Sequence, residues 1–272
     1  MKKTMLCMML GATVLATSCL SEDQDFAPVQ EQGSGKGQLV LTLSADANFS
    51  QQTRALNEAD YLNTDNYTVE VWNVDKDKLV YTCQANDFEA KVLDTDVTYE
   101  VRAYYGTEYA KSRDDFRMEG SKTFRFTEDG ASQSVNVECG PTCGKITANF
   151  DESMGNYFNS YKVNFGGTAQ LGTDVCEWKQ TDTEPWYVAI AKGSAGETIT
   201  YTISLTAKPD YVDGSENGVV TGSFTLKRNT AHTLNIKPTY TPNVQGSLSV
   251  IVTIDDTTND KPVDIVVPVT WI

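Results

Sequence analysis

Apolar and polar residues alternate with a period of two through most of the chain beyond residue 37. That period puts every second side chain on one face of an extended strand, so each run predicts a half-buried β-strand. The runs of the first half are QLVLTLS, YTVEVWN, LVYTC, VTYEVRAYY, KTFRF and QSVNVEC. Strands at this density, separated by polar turns, predict a β-sandwich of about seven strands over residues 37–143.

The alternation restarts after Cys143, in the runs KITANF, SYKVNF, ETITYTISL, GSFTLKR and HTLNIKP. Gly140 and Pro141 mark the expected junction, because both residues favour turns. The sequence therefore predicts an all-β protein with two tandem Ig-like β-sandwich domains, the second over residues 144–272.

The last run, KPVDIVVPVTWI, predicts a strand whose apolar face carries Ile265, Val267, Val269 and Trp271. Pro268 has no N–H to donate to a neighbouring strand, so we expect this strand at a sheet edge. Two interpretations stay open: the strand completes the second sandwich, or it is donated to another subunit.

The first residues have the pattern of a secretory signal peptide over residues 1–18. Lys2 and Lys3 precede a short apolar stretch, and small residues then lead to Cys19. LATSC resembles a bacterial lipobox, which implies a lipid on Cys19 as the only cofactor; an ordinary signal peptide is the alternative. Residues 19–36 are polar and predict a flexible tether.

Three acids follow the cysteine at once: Glu22, Asp23 and Asp25. They resemble the export tag of Bacteroidetes lipoproteins, which implies a place on the outer face of the outer membrane. The whole chain has a formal net charge of −15. Because this charge repels phosphate backbones, nucleic acid is not an expected partner.

Four cysteines remain beyond the signal and the lipidation site: Cys83, Cys139, Cys143 and Cys176. An oxidising compartment favours disulfides, but the pairing stays open and buried free thiols are the alternative. The Cys139–Cys143 spacing resembles half a zinc site without a second half. The acidic turns DDTTNDKPVD and DGSENG do not match the spacing of a calcium loop. We expect no metal site.

Catalytic signatures are absent from the sequence. His232 is the only histidine, and neither a Gly-x-Ser-x-Gly elbow nor a glycine-rich phosphate loop occurs. We therefore expect a protein that is not an enzyme.

Three aromatic residues flank the polar segment KQTDTEP: Trp178, Trp186 and Tyr187. If exposed, such rings could stack on sugar faces, so they are candidate glycan contacts. Packing within the fold is the alternative interpretation.

The run from Val97 to Cys139 resembles an uncharacterised family of lipoproteins from gut Bacteroidales. The likeness covers roughly residues 36–240, and its features in this chain are Ala103, Tyr105, Gly106, Phe116, Gly120, Phe124, Phe126 and Cys139. The wider group is similar to fimbrillin-related surface proteins, which implies two transthyretin-like sandwiches.

This resemblance implies a fimbrillin-like subunit or adhesin, acting in attachment or assembly with other subunits or with surface glycans or proteins. In such subunits an arginine after the first strand is cut by a protease, and a terminal strand of the next subunit fills the groove. Arg54 in QQTRAL is the candidate cleavage site, unless it is an ordinary loop residue. Loss of Leu39, Leu41 and Leu43 would then remove about 5–9 kcal/mol of burial. The alternative function is a glycan-binding module of a polysaccharide-uptake system.

Overall fold

The structure is a computed structural model that describes residues 35–47, 56–244, 246–256, 263–267 and 269–272. Residues 35–272 form one compact unit. Cys19 and Arg54 lie outside the described residues, as do the predicted signal peptide and nearly all of the tether. Among the described residues, no helix is long and apolar enough to cross a membrane.

The fold is all-β, as the alternation predicted. The first half contains β1 Lys36–Ala45, β2 Thr68–Asn73, β3 Lys78–Gln84, β4 Lys91–Asp94, β5 Thr98–Tyr105, β6 Lys111–Ser112, β7 Met118–Arg125 and β8 Ser132–Pro141. Short 3₁₀ turns cover Glu58–Leu62, Thr64–Asn66 and Ala85–Asp87.

Seven of these strands form one sheet in the order β3-β2-β5-β7-β8-β1-β4. Strand β8 connects its two parts, because Gly140 and Pro141 pair with β7 while residues 132–139 pair with β1. Side chains from both parts, including Leu39, Val101 and Val137, share one buried core. The single sheet therefore supplies both layers of the first sandwich.

The second half contains β9 Cys143–Phe150, α1 Met154–Tyr157, β10 Phe158–Gly166, β11 Cys176–Lys179, β12 Trp186–Ala189, β13 Glu197–Ala207, β14 Asn217–Leu226, β15 Ala231–Thr239, β16 Ser249–Asp256, β17 Val263–Val267 and β18 Thr270–Trp271. They form a five-stranded sheet, β11-β10-β13-β14-β18, and a six-stranded sheet, β17-β16-β15-β9-β12-β6. A second apolar core lies among them.

The two halves interlock near the expected junction. Strand β6 belongs to the first half of the chain but pairs with β12, in the six-stranded sheet. Conversely, Tyr187 packs into the core of the first sandwich, and Ala231 packs against that core. The boundary between residues 143 and 144 stays a prediction, since side chains from both sides of it share one core.

The terminal run, expected as one strand, is divided between two sheets. Strand β17, which includes Ile265 and Val267, pairs with β16 at one edge of the six-stranded sheet. Strand β18 pairs with β14 at the edge of the five-stranded sheet. Val269 and Trp271 pack over Gly218, where an added Cβ would lie 2.4 Å from Val269 Cγ1. Both strands do lie at edges.

Candidate functional site

Strand β1 lies between β8 and β4 in the seven-stranded sheet. It runs parallel to β8 from the Gln38–Ser132 pair to the Ala45–Cys139 pair. On its other side it pairs antiparallel with β4 over four residue pairs. The backbone of β1 is therefore hydrogen-bonded on both sides, and its removal would leave an open slot lined by unpaired N–H and C=O groups.

Burial along β1 is uneven. Leu39 is fully buried, whereas Leu41 and Leu43 are only partly buried. Gly37 lies against the buried ring of Phe126, where an added Cβ would be 2.4 Å from the ring. The burial energy expected for three leucines is therefore too high: Leu39 alone contributes about 1.5–3 kcal/mol, and the other two contribute less.

The chain that follows residues 48–55 is also held by contacts that do not involve β1. Glu58 accepts hydrogen bonds from Lys145 Nζ at 2.8 Å and from Tyr187 Oη at 2.6 Å. Both partners are buried and belong to the second half of the chain. Because the Lys145 ammonium and the Glu58 carboxylate are opposite charges in a largely dry site, the pair is a strong local restraint.

A second contact holds the same 3₁₀ turn. The ring of Tyr61 stacks on Phe116 with 4.0 Å between centroids, and its hydroxyl donates to Asp115 Oδ1 at 2.6 Å. Phe116 stacks in turn on Tyr187 at 4.8 Å. Burial, aided by the Asp115 carboxylate, raises the pKa of Tyr61 well above its ordinary value, so the hydroxyl stays a donor.

The three candidate glycan contacts are packing residues in this structure. Trp178 is 3% exposed and Tyr187 is 1% exposed, so neither offers a ring face to a sugar. Trp186 is partly buried, and Arg113 lies over it with Cζ 4.3 Å from the ring centroid. Arg113 also donates to Asp182 Oδ2 at 2.8 Å. Trp178 and Trp186 pack against this arginine, and Tyr187 stacks on Phe116.

The four described cysteines are free thiols, where the sequence analysis favoured disulfides. Cys139 Sγ lies 3.7 Å from the carbonyl oxygen of Ala103 on β5, and Cys83 on β3 is two strands from Ala103, about 10 Å away, whereas a disulfide requires Cα atoms within about 7 Å. Cys176 belongs to the second core, away from the core that contains Cys139 and Cys143. The geometry therefore agrees with the free-thiol alternative.

Burial keeps Cys139 and Cys176 in the neutral thiol form. It raises the pKa of Cys139 from an ordinary 9.0 to about 12, with Glu119 adding to the effect. Because the pKa of Cys139 is higher in the folded protein than in the unfolded chain, the neutral thiol favours folding fully below pH 9.0. This contribution to the free energy of unfolding is lost as the pH rises towards 12. Burial likewise raises the pKa of Cys176 to about 12. Neither thiol is an activated nucleophile at neutral pH.

Within the described parts of the chain, no group of three or more His, Cys, Asp or Glu side chains could hold a metal ion. His232 is buried and stacks on Phe224 at 4.9 Å between centroids. Its ring therefore contributes to packing within the second half of the chain.

The fold defines an all-β sandwich protein whose first strand lies between β8 and β4. The chain belongs to the family described as "Domain of unknown function (DUF4493)", whose model matches residues 35–269. This membership confirms the resemblance to an uncharacterised family. Comparison with curated proteins gave no match.

Solved structures show a distant likeness. A fimbrial assembly protein from Parabacteroides distasonis is 11% identical, with a TM-score of 0.42 over 85% of this chain and 99% of that one. The tip fimbrial protein Mfa3 from Porphyromonas gingivalis is 12% identical, with a TM-score of 0.41 over 81% and 99% of the two chains. At this distance the likeness carries no argument about function.

Proposed function

We propose that the protein is a non-catalytic lipoprotein of the outer-membrane surface, a fimbrillin-like subunit or adhesin that acts in attachment or fimbrial assembly. The observation that carries this proposal is the position of β1 between β8 and β4, where its backbone pairs with both strands. Loss of β1 would leave a slot of the kind that the strand exchange implied by the resemblance requires.

A cut after Arg54 would separate β1 from the body without releasing the body's new first residues. Those residues are held by Glu58, through Lys145 and Tyr187, and by Tyr61, through Phe116. Strand β1 would then be free to leave once its strand pairings, the burial of its side chains and its contacts with the turns at Glu58–Leu62 and Thr64–Asn66 are lost.

The slot left between β8 and β4 would bind an extended segment of another subunit. Eight register pairs with β8 and four with β4 would become available to it, together with the pocket of Leu39. Main-chain hydrogen bonds supply affinity in such strand addition, and alternate side chains supply specificity. The alternating run with Ile265, Val267, Val269 and Trp271 has the required pattern.

Donation of that run has a cost, because its residues are already paired within the chain. Strand β17 would have to leave β16, and β18 would have to leave β14. Both are edge strands with one neighbour each, which makes them the easiest strands of their sheets to detach.

Limited digestion with an arginine-specific protease tests the exchange. The cut protein should form oligomers that resist SDS, and Arg54→Gln, which removes the cleavage site, should leave the protein uncut at that position and monomeric. If the protein cut after Arg54 stays monomeric and only loses stability, the strand-exchange proposal is wrong.

Membrane partition tests the anchor separately. Cys19→Ala should move the protein from the envelope fraction to the soluble fraction, whereas Cys7→Ala, within the predicted signal peptide, should not. Mass spectrometry of the mature protein should find the acyl chains on Cys19. Retention of the Cys19→Ala protein in detergent-extractable envelopes would contradict lipid anchoring at this residue.

A further inference from the structure

A cleft of about 490 Å³ lies against β2, β5 and β7 of the first sandwich and reaches Lys192 and Arg228 of the second half. Its charged lining consists of Arg102, Arg117, Lys192, Arg228, Glu70 and Glu119. Four cations and two carboxylates give the lining a formal charge of +2, in a chain whose formal net charge is −15. The cleft is therefore positively charged in a protein that is strongly negative overall.

Two guanidinium groups in the cleft share one carboxylate. Glu119 Oε1 lies 3.2 Å from Arg228 Nη1, and Glu119 Oε2 lies 3.5 Å from Arg117 Nε. The single negative charge of Glu119 thus faces two positive charges. The buried Arg117 Nε donates no hydrogen bond within the described structure.

Both guanidinium groups are held in place by neutral contacts. Arg117 Cζ lies 4.1 Å from the centre of the Tyr104 ring. Arg228 donates from Nε and Nη2 to the carbonyl oxygen of Ile190, at 3.0 and 2.9 Å. Because these contacts fix the groups without neutralising them, little rotamer entropy is left to lose when an anion binds.

The other charged groups near the cleft do not cancel its excess positive charge. Arg102 is paired with Glu100, outside the lining, at 2.7 Å. Glu70 accepts hydrogen bonds from two neutral donors, Trp72 Nε1 and Tyr104 Oη. Lys192 is exposed and has neither a hydrogen bond nor an ion pair with any described residue. When Glu100 is counted as well, the formal charge is still +1.

The geometry points to a binding site for one small oxyanion, a carboxylate or a sulfate group, held by Arg117, Arg228 and Lys192. Guanidinium groups match the planar or forked oxygens of these anions. The volume is that of a small-molecule site. A long polyanion is disfavoured, because the strongly acidic surface beyond the cleft repels it. This site is independent of strand exchange and of the lipid anchor.

Calorimetric titration of the full, uncut protein tests the proposal with three probes: glucuronate, glucose 6-sulfate and neutral glucose. The proposal predicts saturable binding of at least one acidic probe and none of glucose. Preference for glucuronate would identify a carboxylate site, and preference for the sulfate would identify a sulfate site. Either result supports the oxyanion cleft.

Charge reversal locates the binding. Lys192→Glu should weaken binding about tenfold, because it replaces a charge-assisted contact by repulsion. Lys78→Glu is the matched control: Lys78 is exposed on β3 and pairs with Asn73 of β2, which lies about 10 Å along that strand from Glu70 in the lining. At physiological salt that distance exceeds the screening length, so binding should change less than twofold.

Arg117→Gln provides a second variant and should also weaken binding about tenfold. The proposal fails if neither acidic probe binds saturably, if glucose binds as well as they do, or if Lys192→Glu and Lys78→Glu weaken binding equally. None of these results bears on strand exchange, since the titration uses uncut protein and small molecules.

Discussion

Removal of the Glu58 carboxylate should destabilise the whole compact unit. The Lys145 side chain is 3% exposed and that of Glu58 is 14% exposed, so the pair is nearly dry. Breaking a buried pair by deleting one partner costs about 3–5 kcal/mol, because the remaining charge loses its compensation. Glu58 keeps some solvent contact, so we take the lower end. Glu58→Ala should lower the free energy of unfolding by about 3 kcal/mol.

Urea unfolding followed by tryptophan fluorescence measures this loss, and thermal unfolding provides a second readout. For a domain of this size, about 3 kcal/mol corresponds to a fall in Tm of about 6–12 °C. The matched control is Arg125→Met, which breaks the Arg125–Asp96 pair at 3.2 Å. That pair is exposed, so its loss should leave the stability unchanged within error.

A double variant separates the charge effect from lost packing. Glu58→Leu together with Lys145→Met removes both charges and fills the space with apolar groups, so it should recover much of the loss. The reasoning is refuted if Glu58→Ala stays within about 1 kcal/mol of the parent. It is also refuted if the double variant is no more stable than Glu58→Ala, since uncompensated charge would then not be the cause.

Two further predictions concern the first sandwich and the thiols. Gly120→Ala should lower the free energy of unfolding in urea by at least about 2 kcal/mol, because its Cβ would lie 2.3 Å from the carbonyl oxygen of Glu138. The control is Gly155→Ala on α1, which should be neutral or stabilising because the added Cβ meets open space. Equal stability of the two variants would contradict the packing argument. In the native protein at neutral pH, Cys139 should resist alkylation and the partly exposed Cys83 should react, with mass spectrometry reporting both sites; rapid native labelling of Cys139 would contradict its burial.

Strands with long alternation were predictable from the sequence, because alternation is a local property. The run ETITYTISL is part of β13 Glu197–Ala207, and its residues Ile199, Tyr201, Ile203 and Leu205 are all buried as expected. A strand of two residues, such as β6, is too short to show a period, so its pairing with β12 had no signal in the sequence.

The route of the terminal run was not predictable for a different reason. Alternation shows which side chains share a face, but it does not show which sheet that face belongs to. Both β16 and β14 present a free edge to this part of the chain, and the structure uses β17 for one and β18 for the other. One continuous pattern was therefore compatible with one strand or with two.

The contacts of the candidate site depend on residues distant in sequence. Glu58 meets Lys145, which is 87 positions away, and Arg113 meets Asp182, which is 69 positions away. A single sequence with abundant acids offers many such pairings. The aromatic residues Trp178 and Tyr187 were noticed for their type, but their burial depends on where Arg113 and Phe116 lie in the fold.

The residues that carried the family resemblance specify the fold and not a ligand. Gly106 has a φ of +77°, and an added Cβ would lie 2.0 Å from the carbonyl oxygen of Phe116, so only glycine lets this turn close. Closure places Phe116 between Tyr61 and Tyr187, where the two halves of the chain meet.

Gly120 has an equivalent role on β7, because its missing side chain leaves room for the Cys139 thiol to reach the carbonyl oxygen of Ala103 at 3.7 Å. A motif made of such close contacts constrains the sandwich and its junction, while Lys192 and Arg228 of the oxyanion cleft lie outside the run from Val97 to Cys139. Proteins that share the motif should therefore share this architecture and can differ in what they bind, since exposed residues such as Lys192 can change without disturbing those contacts.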